Sequence, residues 1–462
     1  MAHWLQRLKP KSAFARGVGV LVGGTAFAQA IAVLALPLLT RLYTPDDFSV
    51  LAVYAALLGI ISVVACLRLE IAIPMPEDEG TAINLMLLGL IFSTATAVLV
   101  GLILLFFSAE IAALLKQPGL RSLFWMLPLG IWFSGVYAAV QYWSTRQKRF
   151  TMIAQTRMAQ AVGSTGMQLG FGLLGKFGPF GLLLGQMMTA GIGIFQLGRL
   201  AWRDATRSGA TQKHENLWRT LRRYDRFPKY STFEAFANAA AMQLPVVIIG
   251  AAAIGPEAGF LLLAMKAAGI PMGLIGGAIA QVYLSRASDE WRAGRLPQFT
   301  TQIIVRLTAL GVGPLVAIGI VAPSVMPLVF GTEWARAGVM ISWMTPWFIM
   351  QFLASPVSMS LHVTDNQPLA LLNQLGGLVL RVGLTALAAR YLAGHVVEVY
   401  AVSGLVFYFI YLAIVLRVSG VRLGDLGRDS RKGLLIVGAW SVVAVAAALA
   451  LDLLLRAFMP TN

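Results

Sequence analysis

Residues that usually carry enzyme chemistry are scarce in this chain. Only one cysteine, four histidines and 20 acidic residues occur among its 462 positions. The single cysteine, Cys66, excludes an internal disulfide. The sequence contains no cysteine cluster, nucleophile elbow, phosphate-binding loop or paired-carboxylate constellation. We therefore expect a protein that is not an enzyme, with no catalytic residue, metal site or cofactor; a coupling ion, H⁺ or Na⁺, is left open.

Charge is also scarce, and long apolar runs take its place. The chain is 58% hydrophobic and only 12% charged, which is typical of a polytopic membrane protein. Because a helix needs roughly 20 apolar residues to cross a bilayer, the runs predict an all-α membrane protein with about 12 to 14 transmembrane helices. We place thirteen, at 17–40, 48–69, 83–107, 120–143, 153–175, 178–198, 231–252, 258–284, 302–329, 338–361, 368–389, 395–417 and 433–456.

The basic residues fall mostly on one side of the predicted membrane. The net charge is +16, and most of the 36 Lys and Arg lie on the side of the N-terminus, which predicts a cytoplasmic N-terminus. Attraction to an anionic leaflet accounts for this excess, so we expect membrane lipids and no nucleic acid as partners. The predicted organisation is an N-terminal six-helix lobe (1–200), a basic cytoplasmic linker (201–229), a C-terminal six-helix lobe (230–418), and a basic segment with an extra helix (419–462).

One lysine lies inside a long apolar helix candidate, residues 256–286. Gly269, Gly273 and Gly277 fall at helical spacing from Lys266 and within about 60° of its direction, so the lysine lies on a face of small residues. Such a face lets a neighbouring helix approach closely, or it leaves room for a bulky anionic ligand. Because an intramembrane charge is costly, Lys266 is a candidate substrate-binding cation. The alternative is a structural or snorkelling lysine.

A second cation lies at a similar depth in the span 368–389. Arg381 shares a helix face with Gln374, and Asn373 lies beside that face. Arg381 and Lys266 both lie about 12 Å below the outer surface, at 1.5 Å per helical residue. Two cations with few intramembrane acids suggest a shared anion site lined by Asn373 and Gln374. Alternatively, the cations pair with backbone carbonyls or face different helices.

Polar residues in the N-terminal half point less clearly to a site. Arg157 and Gln168 share one helix face, and Gln29 lies on the first span. They are candidates for a cationic cavity, Arg157 as a substrate-binding group, although interhelical hydrogen bonds explain them as well.

Three charged residues near the ends of spans are candidates for coupling or gating. Arg68 and Glu70 close the second span, and Glu234 opens the seventh. At positions i and i+2 of a helix, Arg68 and Glu70 are not expected to face each other. For Glu70 and Glu234 an interfacial position is the alternative to a coupling role.

Two stretches resemble a known family. Residues 40–85 contain RLYTP at 41–45 and LRLE at 67–70 before an acidic loop, and residues 327–356 contain PLVFG followed by EW and, at 355–356, SP. Together they resemble Wzx-type flippases for lipid-linked O-antigen and related glycans, in the multidrug/oligosaccharidyl-lipid/polysaccharide (MOP) superfamily. The resemblance implies two six-helix lobes around a central cavity with alternating access, in which cationic residues meet a pyrophosphate or acidic sugars. A thirteenth span departs from the commoner twelve, so whether 433–456 crosses the membrane stays open.

The resemblance implies a function. We expect a multi-pass protein of the bacterial inner membrane that moves an undecaprenyl-pyrophosphate-linked oligosaccharide, an O-antigen or exopolysaccharide repeat unit, from the cytoplasmic to the periplasmic leaflet. A polysaccharide polymerase and ligase are further expected partners. A multidrug cation antiporter of the same superfamily is the alternative, although it would be expected to carry buried acids. A membrane glycan polymerase or ligase is a further alternative, but no large outer loop is visible to carry its catalytic groups.

Overall fold

The predicted all-α architecture is confirmed. The structure is a computed structural model that describes residues 13–175, 177–209, 216–252 and 255–458. The regular secondary structure in these ranges is helical, and they contain no strand. The predicted cytoplasmic N-terminus lies mostly outside the described residues, as does the middle of the linker, residues 210–215.

Fifteen labelled helices carry the architecture. In chain order they are α1 Ala13–Leu34, α2 Pro45–Ser62, α3 Glu79–Leu114, α4 Met126–Arg146, α5 Phe150–Leu174, α6 Phe180–Gly209, α7 Thr232–Ala252, α8 Glu257–Pro271, α9 Gly277–Arg292, α10 Leu296–Leu307, α11 Gly313–Phe330, α12 Ala335–Ala354, α13 Gln367–Tyr391, α14 Val396–Val418 and α15 Arg431–Phe458. Shorter helices join them, including Leu36–Leu42, Leu217–Arg223 and Leu423–Asp429.

Ten helical segments in the described ranges are long and apolar enough to cross a membrane. They correspond to ten of the thirteen spans placed on the sequence. The other three placements, 120–143, 153–175 and 258–284, coincide with α4, α5 and the α8–α9 pair. These helices are more polar or interrupted, and α5 and α8 carry Arg157 and Lys266. The count of thirteen stays a prediction.

Contacts between residues divide the chain into two units. The first comprises residues 1–43 and 54–239, and the second comprises 44–53 and 240–462. The boundaries of the four predicted segments remain predictions.

The first unit is built on helices α1 and α3–α6. Helix α5 packs along α6 and α1, and α4 packs against α3 and α6. The core surrounds Trp143, which is fully buried beside Leu69 and Ile73. The Trp143 indole nitrogen donates to Asp204 Oδ2 at 3.0 Å. The short helix Leu217–Arg223 is attached to this unit, because the Asn84 amide donates to Thr220 Oγ1 at 3.3 Å.

The second unit centres on α12. Helix α12 packs against α11, α14 and α8, while α11 also contacts α15 and α13 contacts α14. Gly338 lets α12 approach α11, since a Cβ there would lie 2.6 Å from the carbonyl oxygen of Ala322. Fully buried side chains such as Tyr283, Leu307 and Phe352 fill the core. A dense apolar interior therefore supports the helices that carry both predicted cations of this half.

Helix α2 begins at Pro45, three residues before the predicted start of the second span, and the predicted end of that span is wrong. Thr44 and Asp47 form a reciprocal cap: the Asp47 amide donates to Thr44 Oγ1 at 3.2 Å, and the Thr44 amide donates to Asp47 Oδ2 at 3.0 Å. Helix α2 ends at Ser62 instead of continuing to residue 69. Beyond it Leu67 and Arg68 adopt positive φ angles of 50° and 60°, so the chain turns through residues 63–78 before α3.

Candidate functional site

Lys266 lies in α8, nine residues after Glu257. Its side chain is exposed although both neighbouring turns of the helix bury leucine and alanine, including Leu263 and Ala268. In the described part of the chain, Lys266 forms no ion pair and no hydrogen bond. An unpaired ammonium in an apolar helix faces a protein interior or a wet cavity, because lipid would oppose it by about 2.5 to 3.5 kcal/mol.

The glycine face beside Lys266 is open. Gly269, Gly273 and Gly277 are all exposed, and a Cβ added at Gly269 or Gly277 would meet nothing within 4 Å. The π-helix Met272–Gly276 interrupts the helix between them, and such bulges occur often at functional sites. Close helix packing, the structural alternative for these glycines, therefore does not explain Gly269 and Gly277. The geometry instead leaves room in front of the ammonium.

Arg381 has a different environment. It is only 2% exposed, and its Nη2 donates to the Tyr400 hydroxyl at 2.8 Å. The guanidinium carbon lies 5.0 Å from the centre of the Trp347 ring and 5.3 Å from that of Tyr400. Arg381 Nε and Trp347 Nε1 are both buried without a hydrogen-bond partner. An aromatic pocket between α12, α13 and α14 therefore holds this cation in the helix interface.

Lys266 and Arg381 differ in accessibility. Lys266 is exposed and Arg381 is buried, and no contact in the described ranges joins them. The face that carries Arg381 packs on α14, because a Cβ at Gly377 would collide with the Phe407 ring. The sequence predicts a similar depth for both residues, but the rotation of each helix about its axis decides which neighbours its side chains contact. A joint anion site stays a prediction that would require Arg381 to leave its pocket.

The two amides predicted beside Arg381 differ in burial. Asn373 is 8% exposed, and its Nδ2 has no hydrogen-bond partner. Gln374 is half-buried. Asn373 lines an apolar cavity together with Gly376, Phe407 and neighbouring leucines and isoleucines.

In the first unit the polar residues mainly join helices. Arg157 Nη1 donates to Thr25 Oγ1 at 2.7 Å, which ties α5 to α1. Gln168 Nε2 donates to the carbonyl of Leu182 at 3.2 Å, which ties α5 to α6. Gln29 is exposed, and Arg157 is half-buried. The interhelical alternative therefore describes Gln168 in this structure, whereas Arg157 keeps part of its surface accessible.

Arg68 and Glu70 meet, contrary to the expectation from helical spacing. Arg68 Nη1 lies 3.8 Å from Glu70 Oε1 because the left-handed backbone at Arg68 replaces the helix. Glu70 is 5% exposed, and its Oε2 has no hydrogen-bond partner. Burial raises the pKa of the Glu70 carboxyl, while its backbone hydrogen bond and Arg68 lower it by less. Glu234 is exposed near the start of α7.

A family model described as Polysaccharide biosynthesis protein matches residues 38–338, well over half of the chain. The chain belongs to this polysaccharide biosynthesis protein family. The matched range contains Arg68, Glu70, Arg157 and Lys266, and it ends before Arg381. Among curated proteins no match is found.

Solved structures with a similar fold include two membrane transport proteins. The lipid II flippase MurJ in an inward closed conformation is similar with a TM-score of 0.67 at 14% identity, over 94% of this chain and 97% of that one. A MOP superfamily transporter from Pyrococcus furiosus Vc1 (DSM3638), whose binding pocket is described as having reverse polarity, has a TM-score of 0.50 at 12% identity, over 87% and 95%. At these identities the likeness concerns the fold alone. This member of the polysaccharide biosynthesis family thus has a MOP-type fold and is a multi-pass membrane protein.

Sequence reasoning missed one ion-pair cluster in this family member. Arg336 Nε and Nη2 donate to both carboxylate oxygens of Glu257, at 3.0 and 3.1 Å, and Nη2 also donates to Glu398 at 2.6 Å. The cluster joins the first turns of α8, α12 and α14. No sequence signal links these residues, because each pair is more than 60 positions apart.

The described ranges hold no group of three His, Cys, Asp or Glu side chains that could bind a metal ion. Two predicted cations keep accessible surface: the Lys266 side chain in the second unit is exposed, and Arg157 in the first unit is half-buried.

Proposed function

We propose that this protein is a flippase that moves an undecaprenyl-pyrophosphate-linked oligosaccharide, an O-antigen or exopolysaccharide repeat unit, from the cytoplasmic to the periplasmic leaflet of a bacterial inner membrane. The observation that carries the proposal is the unpaired, exposed Lys266 beside the open face of Gly269 and Gly277. Membership of the polysaccharide biosynthesis family and the fold shared with MurJ, which is named as a lipid II flippase, support the substrate class.

The proposed chemistry is electrostatic, and no covalent bond changes. A diphosphate carries its negative charge on compact oxygens, which an ammonium binds strongly where water is partly excluded. Lys266 would hold this head group while the polyprenyl tail stays in lipid. Glycine at three successive positions of the same helix face provides space for a head group that carries bulky sugars. Alternating access of the two lobes would then expose the bound head group to the other leaflet.

The other cations have separate places in this proposal. Arg157 is half-buried and donates to Thr25, and it stays a candidate substrate-binding cation of the first unit. Arg381 would reach the head group only after leaving Trp347 and Tyr400, so the proposal does not depend on it. The Arg68–Glu70 pair is the expected coupling or gating element, because Glu70 keeps an unpartnered carboxylate oxygen.

The test is the leaflet on which the lipid-linked oligosaccharide accumulates in a deletion strain. Intact spheroplasts and inverted vesicles are treated with a membrane-impermeant reagent that cleaves or labels the sugar. Accumulation on the cytoplasmic face is the expected result. Accumulation on the periplasmic face would indicate a polymerase or ligase. Unchanged lipid-linked oligosaccharide with increased sensitivity to organic cations would indicate a multidrug antiporter and contradict the proposal.

A further inference from the structure

The short helix Leu217–Arg223 in the predicted linker has two different faces. Its inner face is fixed to the first unit. Thr220 is fully buried and accepts a hydrogen bond from the Asn84 amide at 3.3 Å, and Leu217 and Leu221 pack against the core of that unit. The helix is therefore held in one place beside α3, and its outer face is free to meet other molecules.

The outer face carries a tryptophan and two arginines. Trp218 is 59% exposed, and Arg219 and Arg222 are exposed as well. The Arg222 guanidinium carbon lies 5.5 Å from the centre of the Trp218 ring. Neither arginine side chain forms an ion pair or a hydrogen bond with the described part of the chain, and the next acid along the chain, Asp225, pairs with Lys229. Both guanidinium groups thus keep their N–H donors for an external anion.

This helix lies at the level where two candidate membrane spans begin. Asn84, which holds it, is the sixth residue of α3 and is next to the predicted start of that span at residue 83. The candidate span Phe227–Ala252 begins four residues after Arg223, a reach of at most about 14 Å. Tyr230 and Phe233 near its start are each 72% exposed, and aromatic side chains are enriched where a span meets the lipid headgroups. The basic face therefore lies near headgroup level.

We propose that Trp218, Arg219 and Arg222 bind the phosphate of an anionic phospholipid in the leaflet that borders the first turns of α3 and α7. Arginine presents a planar fork of N–H donors that matches phosphate oxygens, and an indole is favoured at the membrane interface. Two unpaired cations attract a headgroup with a net negative charge, whereas a zwitterionic headgroup brings its own ammonium. General attraction to an anionic leaflet is spread over all basic residues of the linker, but this site depends on three side chains. It does not depend on the proposed transport function.

A matched pair of double variants separates this site from net charge. Arg219→Gln with Arg222→Gln removes both cations of the outer face. Arg422→Gln with Arg428→Gln removes two exposed arginines at the short helix Leu423–Asp429, in another connection that is predicted on the same side of the membrane. The net charge falls by the same amount in both. Trp218→Ala removes the indole and keeps the charge.

The experiment uses the full chain in phosphatidylcholine vesicles with a small mole fraction of phosphatidylglycerol that carries a photoreactive diazirine on its headgroup. Mass spectrometry of the cross-linked peptides locates the label. We expect labelling of residues 216–226 to fall about 30-fold when Arg219 and Arg222 are replaced, as for two basic residues removed from an anionic surface. Trp218→Ala should also reduce it, and the Arg422 and Arg428 variant should match the parent. A phosphatidylcholine probe with the same diazirine should label this segment weakly.

Three results would overturn the proposal. The first is equal labelling of residues 216–226 in the parent and in the variant without Arg219 and Arg222. The second is an equal loss of labelling in the two double variants, or equal labelling by the two lipid probes, which would leave no selective site. The third is displacement of the probe by undecaprenyl diphosphate at a lower concentration than by unlabelled phosphatidylglycerol, which would assign the face to a polyprenyl lipid.

Discussion

Removal of Arg336 should loosen the second unit. Among the described residues, Arg336 is the cation that pairs with both Glu257 and Glu398. It donates to Glu257 through two nitrogens and to Glu398 through one. Arg336→Leu keeps an apolar stem but leaves both carboxylates without their partner. The three helices that meet there, α8, α12 and α14, would then lose their shared contact and gain a repulsion between Glu257 and Glu398.

The expected loss of stability follows from the exposed fractions of the three side chains. The Arg336, Glu257 and Glu398 side chains are 29%, 16% and 14% exposed, so the cluster is largely but not fully removed from solvent. Breaking a buried ion pair typically costs about 3 to 5 kcal/mol of unfolding free energy. We expect about 3 kcal/mol for Arg336→Leu, because part of the cluster is exposed to solvent. In a unit of 150 to 250 residues this corresponds to a fall in Tm of about 6 to 12 °C.

The assay is the thermal midpoint of the purified protein in one detergent, followed by intrinsic fluorescence and by loss of the monodisperse chromatographic peak. Arg292→Leu is the control, since its pair with Asp289 is 74% and 73% exposed and should contribute less than about 1 kcal/mol. Arg336→Lys should give an intermediate fall in the thermal midpoint, because the positive charge remains but the two-nitrogen contact of the guanidinium is lost. A fall for Arg336→Leu no larger than that for Arg292→Leu would refute the reasoning.

Three further predictions concern single sites. Glu70→Gln should make stability less dependent on pH: burial raises the pKa of the Glu70 carboxyl, so its protonated form stabilises the fold below the ordinary carboxyl pKa, and that contribution is lost as pH rises through the raised value. Thermal midpoints between pH 4 and 8 test this, and parallel pH profiles for variant and parent would contradict it. Arg381→Met should change stability by less than about 1 kcal/mol, because the lost cation–π contacts are offset by removal of a buried charge; a large fall in midpoint would disprove that balance. Gly135→Ala should destabilise by about 1 to 3 kcal/mol through overlap with the Ser93 side chain, whereas Gly166→Ala, with open space around its Cβ, should not; equal midpoints for the two would count against the packing described.

The helices could be predicted because their causes are local. The spans predicted from apolar runs coincide with long helices. This holds even for α5, which is too polar to meet the hydropathy expected of a membrane span. Thr44 and Asp47 form the cap that their spacing indicates. The small-residue face of α8 was also readable, because helical periodicity fixes which residues lie together. What this face meets could not be read, since that depends on the packing of other helices.

The rest of the site depends on contacts between distant residues. Helical spacing wrongly separated Arg68 from Glu70, because the helix ends at Ser62 and the left-handed residues Leu67 and Arg68 turn the chain beyond it. Burial of Arg381 requires Tyr400 and Trp347, which no periodicity joins to it. The Arg336 cluster brings together residues 79 and 62 positions apart. Such pairings follow from how complete helices pack, and a single sequence carries no direct signal for them.

The central claim concerns Lys266, and transport in reconstituted vesicles tests it most directly. The protein is incorporated into vesicles that contain a fluorescent undecaprenyl-diphosphate-linked oligosaccharide, and a membrane-impermeant quencher reports how much label has crossed the bilayer. Lys266→Ala should reduce transport to the level of empty vesicles, Lys266→Arg should retain a part of it, and Lys432→Ala, which removes an exposed lysine at the start of α15, should match the parent. Transport by Lys266→Ala at the rate of the parent, with equal protein in the vesicles, would contradict the account.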